Sequence, residues 1–359
     1  MYIYPVVFAV ILMLREVVEF DGRTDGAVAR ASAFLVFVML TLLTALRVDT
    51  GTDYPTYDLI WSYTSSWTEV TLQELLMQFL EPLFVITNSL LQTISDAPLL
   101  FFAGYALLTL SLLHIAIRRF PINPVHAYLV YTGTFLLPYA FNGMRQAVAM
   151  SIFLLALRPL LANRTTTVLG YSIAATGFHL TGLLIPIAYV VHRLSRRRDF
   201  DLWHVLLVGA VVSGAIGLSG IGSRLFFAVF EFKAETYSEL FSASSTLLNA
   251  TWRLLLAAML VLSARNAAAP RALRQLLLIY LVGLFVYLAL ADFNVLATRF
   301  NMFFRVLEVI LIPWTLACLP RWPRLTLHAV YCGLLAAALW IVAADPDYAY
   351  RSVLALAGP

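Results

Sequence analysis

"ASAFLVFVMLTLLTAL" (Ala31–Leu46) runs without a single charge into "RVDTGTDYPTYDLIW" (Arg47–Trp61). The first stretch approaches the ~20 apolar residues that a helix needs to cross the hydrocarbon core of a bilayer. The second gathers an arginine, three aspartates, two tyrosines and a tryptophan just where that helix ends. Ionisable groups at membrane depth are tolerated only where protein or a water-filled cavity surrounds them. The junction is therefore either a plain exit loop or part of a reaction site.

Comparable apolar runs recur along all 359 residues, which are 61% hydrophobic and 12% charged, with a mean hydropathy of +0.85. A soluble domain carries about 25% charged residues, so the expected fold is an all-α polytopic membrane protein forming one domain over 1–359. "MYIYPVVFAVILML" lacks a basic leader and a small-residue cleavage site, and reads as a first span. The net charge of +4 gives no nucleic-acid signal, because the basic residues fall in short loops between spans. Cys318 and Cys332 both fall inside expected spans, so no disulfide is expected.

Spans are expected near 1–18, 32–48, 98–117, 124–140, 144–161, 203–220, 247–264, 275–291, 301–319 and 326–343. The positive-inside rule places "RRF", "HRLSRRRD", "SARNAAAPRALR" and "PRWPR" in the cytoplasm, together with Arg23 and Arg30. Between Arg119 and Arg193 the chain must then cross an even number of times, yet three apolar runs lie there. Gly177 and Gly182 bracket His179 in the third, which suits a re-entrant or broken helix pair with the break at His179. The alternative is one long tilted helix. The total becomes about 10–12 transmembrane helices, with extracytoplasmic segments near 47–97 and 221–246.

Six arginines (Arg47, Arg145, Arg224, Arg253, Arg299 and Arg305) fall at the outer ends of spans, where that rule disfavours them. Each is paired with an acid (Asp49, Asp53, Glu81, Asp292 and Glu308 are available) or kept for an anion, whose phosphate or carboxylate suits the guanidinium fork. Arg305 with Glu308 reads as structural. Asp53 either caps the helix that follows Gly51 or serves as a base. Glu81 sits in an apolar segment, paired with an arginine or held for proton transfer. His179 is bonded to backbone freed by the glycines, or acts as a base or phosphate ligand; histidine titrates near neutrality. Tyr54, Tyr57 and Trp61 are interfacial aromatics or faces for sugar rings. The six histidines show no metal-ligand spacing such as HExxH, and no GxSxG, P-loop or GxGxxG motif is present. No metal and no cofactor is expected.

In order along the chain come "GTDYPTY", "EPLF", "FNGMRQAVAMSIFLLAL", "GFHLTGLLIPIAY", "TRFNMFF" and "DYAYR". This series resembles the EpsG family of bacterial exopolysaccharide proteins, relatives of the Wzy-type O-antigen and capsule polymerases. Thr181 stands where that family usually has a serine, and keeps the hydroxyl. The resemblance implies a GT-C-like glycosyltransferase of the bacterial cytoplasmic (inner) membrane, with its active site facing the periplasm. It would move a growing glycan from undecaprenyl diphosphate onto another lipid-linked repeat unit, with membrane lipid, a flippase and a chain-length regulator as further partners. On that reading Asp53, His179 and Glu81 are the catalytic candidates. Arg47, Arg145 and Arg299 would hold the diphosphate, while Tyr54, Tyr57, Trp61, Asn142 and Gln146 line the substrate path. A ligase or acyltransferase of surface glycans and a lipid-linked sugar flippase are the rival functions.

Overall fold

The computed structural model describes residues 2–71, 80–196, 200–221, 224, 244–265, 269–291 and 294–356. Most of the expected outer segment 221–246, and Asp292, lie outside these residues. The chain is an all-α polytopic membrane protein, and it divides into two compact units. The first unit comprises Met1–Pro186 with Arg321–Pro359; the second is Ile187–Pro320.

In the first unit, α1 (Ile3–Asp21), α2 (Ala27–Ala45), α3 (Tyr54–Ser62), α4 (Pro82–Gln92), α5 (Pro98–Ile117) and α6 (Pro124–Thr134) follow one another. Several starts are set by proline, whose missing N–H costs nothing in a first turn. α6 adds an Asn123 cap, whose side chain accepts from the backbone of Val125 and His126. A π-helical turn (Leu136–Asn142) follows, and Pro138 inside it explains the wider ladder. Its missing donor shifts bonding to i→i+5 pairs, with Ala140 N on Phe135 O and Gly143 N on Pro138 O.

Next come α7 (Met144–Leu161) and α8 (Thr165–Phe178). α7 is the centre of this unit: 78% of its span window is buried, against 28% for α15 (Arg321–Ala343), which lies at the periphery. α7 packs against α5 and α8, while α1 packs against α6 and α15. After α15 the tail returns as β2 (Arg351–Ser352), antiparallel to β1 (Arg47–Val48), with Arg47 opposite Ser352.

The expected break at His179 is present. α8 ends there, and a 3-10 turn (Leu180–Leu183) leads into α9 (Leu184–Ser195). The turn folds back on α8: Ser172 Oγ donates to the Gly182 carbonyl, and a β-carbon on Gly182 would run into the Thr176 and Ala175 backbone.

In the second unit, α10 (Leu202–Leu218) packs on α11 (Ser244–Ala264) and α12 (Arg271–Ala289). α13 (Asn294–Arg305) and α14 (Glu308–Ala317) form a bent pair at 44°. Among the described residues, five helices are long and apolar enough to cross a membrane, or six if the bent pair counts as one span. α1 is as long, but Arg15, Glu16, Glu19 and Asp21 crowd its last two turns.

Candidate functional site

Five motifs that lie far apart in sequence meet in the first unit. "GTDY" enters through Gly51, whose φ of +104° is left-handed backbone that favours glycine. A β-carbon there would also strike Asn142 Oδ1. Gly51 N–H donates to the Asp347 carbonyl at 2.7 Å, which ties the turn to the C-terminal tail. Asn142, at the end of the π-helical turn, accepts from Asp53 N at 3.4 Å and donates to the Tyr348 hydroxyl. Tyr4 secures the same tail through its hydroxyl on the Tyr348 carbonyl.

Three residues beyond Asn142, Arg145 occupies the first turn of α7. Its Nη1 is 2.5 Å from Glu81 Oε2, its charge acts on the nearby Tyr57 phenol, and its carbon lies 5.3 Å from the Phe84 ring centroid. Burial pushes the Tyr57 phenol up in pKa, while the Arg145 charge opposes that shift. The second oxygen of Glu81 accepts the Leu180 N–H at 3.3 Å. One carboxylate thereby joins the start of α7 to the break after α8. Gly177 fits against Leu83, two residues beyond Glu81.

At the break, His179 is half-buried and extended (φ −161°). Its Nδ1 accepts the Thr181 N–H at 3.2 Å and lies 2.8 Å from Thr181 Oγ1. A backbone N–H can only donate, so Nδ1 is the acceptor nitrogen and Nε2 carries the proton of the neutral ring. Asp53 occupies the N-cap position of α3, yet its side chain makes no capping bond. Its exposed carboxylate accepts from Thr52 Oγ1 at 3.5 Å and lies within electrostatic reach of Tyr57 and Tyr348.

Arg47 is 1% exposed. Its guanidinium donates to the Thr44 and Phe141 carbonyls and to Met144 Sδ, between the Phe102 and Phe141 rings. Tyr54 stacks on Phe102 at 4.2 Å, and Trp61 is buried with its indole N–H on the Asp96 carbonyl. Gln146 is buried on α7. A mostly apolar cleft of about 410 Å³ opens between α3 and α4, lined by Leu59, Ile60, Val85, Asn88 and Ser89 among others. Arg299 is exposed on α13, in the second unit. Tyr348, absent from the sequence-derived candidates, was signalled only by its place in "DYAYR". Among the described residues no three His, Cys, Asp or Glu side chains gather as a metal cage.

A model of the EpsG family matches residues 30–352. The chain belongs to the EpsG family. No curated protein and no solved structure matches it. Membership gives this EpsG protein a polysaccharide-biosynthesis role of polymerase type.

Proposed function

We propose that this EpsG protein is a polysaccharide polymerase, transferring a growing glycan from undecaprenyl diphosphate to a lipid-linked repeat unit. The reaction takes place on the periplasmic face of the bacterial cytoplasmic membrane. The observation that carries the proposal is the Glu81 bridge, which sets Arg145 beside the break that bears His179. A lipid diphosphate leaving group gains negative charge as its bond to the sugar breaks, and preorganised cations at the membrane surface stabilise it.

The acceptor hydroxyl attacks the anomeric carbon, the bond from that carbon to the diphosphate oxygen breaks, and the hydroxyl proton passes to Asp53. Its exposed carboxylate, with no capping bond to hold it, supports that role. His179 Nε2–H donates a hydrogen bond to the departing phosphate. Arg145 holds the diphosphate. Glu81 carries two bonds already and is a positioning residue, as is Arg47 beneath the Phe141 carbonyl. Asn142 and Gln146 align sugar or phosphate oxygens, and Tyr57 borders the same path. Tyr54 and Trp61 support it from below, and the apolar cleft suits part of the prenyl chain.

The deciding experiment is glycan analysis of a deletion strain. Single lipid-linked units accumulating outside the membrane support polymerisation. Units trapped inside would mean a flippase, and long unattached polymer would mean a ligase.

A further inference from the structure

We infer that Arg253 and Tyr287 form a second oxyanion site, built wholly inside the second unit and taking a phosphate-class ligand. Arg253 projects from α11 and is only 7% exposed. Its guanidinium carbon lies 3.7 Å from the centroid of the Tyr287 ring on α12. Its Nη1 is fully buried and makes no hydrogen bond, and the same holds for the Tyr287 hydroxyl.

The neighbouring carboxylate does not supply a partner. Glu308 is 0% exposed, and Arg305 takes both its oxygens, Nε at 2.7 Å and Nη2 at 3.1 Å. The Tyr280 hydroxyl donates to the same carboxylate at 3.1 Å. Arg305 also lies close enough to repel Arg253. Both oxygens of Glu308 are thus engaged by Arg305, and Arg253 makes no ion pair among the described residues.

An uncompensated buried charge is strongly unfavourable, and unmade buried hydrogen bonds add to it. The ring of Tyr287 answers the face of the guanidinium. It leaves the edge donor of Arg253 and the phenol hydroxyl unanswered. An oxyanion that accepts from both would balance the charge and satisfy both donors, and the guanidinium fork favours phosphate oxygens. The source of that phosphate rests on the polymerase reading: such a reaction uses two lipid diphosphates, and Arg145 answers one of them. The site itself does not depend on that reading.

The test is calorimetric titration of the purified full-length protein in detergent, with inorganic diphosphate and with farnesyl diphosphate. Wild-type protein is expected to bind two anions per chain, and Arg253→Met one. Tyr287→Phe keeps the ring and the packing, and should weaken the second site by about tenfold through one lost charged hydrogen bond. Tighter binding of the farnesyl probe identifies a lipid headgroup as ligand, while equal binding of the two identifies a free anion; either supports the site. Unchanged stoichiometry and affinity in both variants would overturn it, as would greater thermal stability of Arg253→Met with binding intact. Arg145→Ala separates the two proposals. If it leaves polymer formation intact, the catalytic reading fails, whatever the fate of the Arg253 site.

Discussion

Glu81 holds Arg145 Nη1 at 2.5 Å through one oxygen and the Leu180 N–H at 3.3 Å through the other. A carboxylate so engaged locks two elements together and has little left to offer a proton. Glu81→Gln keeps an acceptor for one of the two bonds but removes the charge that orients the guanidinium. Polymer formation should fall by about 100-fold, the scale of a misplaced catalytic group. The shape of the pH–rate profile should stay as in wild type. Loss of an acidic limb in Glu81→Gln would instead make Glu81 the base.

Arg145 is the test of the diphosphate role. Arg145→Ala should lower polymer formation by about 100- to 1000-fold, the range seen when a preorganised stabiliser of developing charge is removed. Single repeat units should still reach the outer surface. Arg145→Lys should rescue little, because an ammonium lacks the fork that can serve Glu81 and a phosphate together. Chain-length analysis of the surface glycan reads both variants, and unaltered chains would sink the assignment.

Asp53 and His179 are separable by what replaces them. Asp53→Asn should abolish polymer formation while single repeat units still reach the outer surface, and normal chain lengths in that variant would remove Asp53 as the base. His179→Gln places an amide N–H near the position of Nε2, so it should retain more activity than His179→Ala. The loss in the alanine variant should be about 100-fold or more. Equal activity of the two His179 variants would remove the hydrogen-bond-donor role.

Gly51 should tolerate no side chain. Gly51→Ala forces a left-handed residue and a contact with Asn142 Oδ1 at once. The strain is about 1–3 kcal/mol, read as a lower melting temperature of the solubilised protein. Tyr348→Phe removes the hydroxyl that Asn142 donates to, and should loosen the tail without that strain.

How much of this was legible in the sequence follows from the range of each signal. The helices and the break at His179 rest on local composition and on paired glycines; the break emerged as expected, while five or six of the described helices, against the 10–12 spans expected, are long and apolar enough to cross. That Glu81 is paired with an arginine was one of two open alternatives; the identity of the arginine was not readable, since 64 residues separate the pair. The Asn142–Tyr348 bond spans 206 residues and leaves no local trace. Asp53 carries a good capping residue type at a helix start, yet no capping bond forms; composition reports position, and side-chain direction is set by tertiary neighbours. Depth was the least legible quantity. Arg47 and Trp61 look like surface groups at a span end, but the folded tail and α5 cover them.

That depth yields the last prediction. Arg47 joins the end of α2, through the Thr44 carbonyl, to the end of the π-helical turn, through the Phe141 carbonyl. Removing it strands both acceptors, each costing about 1–3 kcal/mol, offset in part by relief of its own desolvation. Arg47→Met should therefore lower the melting temperature, and Arg47→Lys should do so as well, since an ammonium lacks the fork to reach both carbonyls. Diphosphate affinity of either folded variant should match wild type, because the guanidinium is sealed under Phe102 and Phe141. An affinity loss without a stability loss would place Arg47 at the phosphate instead. Measuring melting and titration on the same preparation decides between those outcomes.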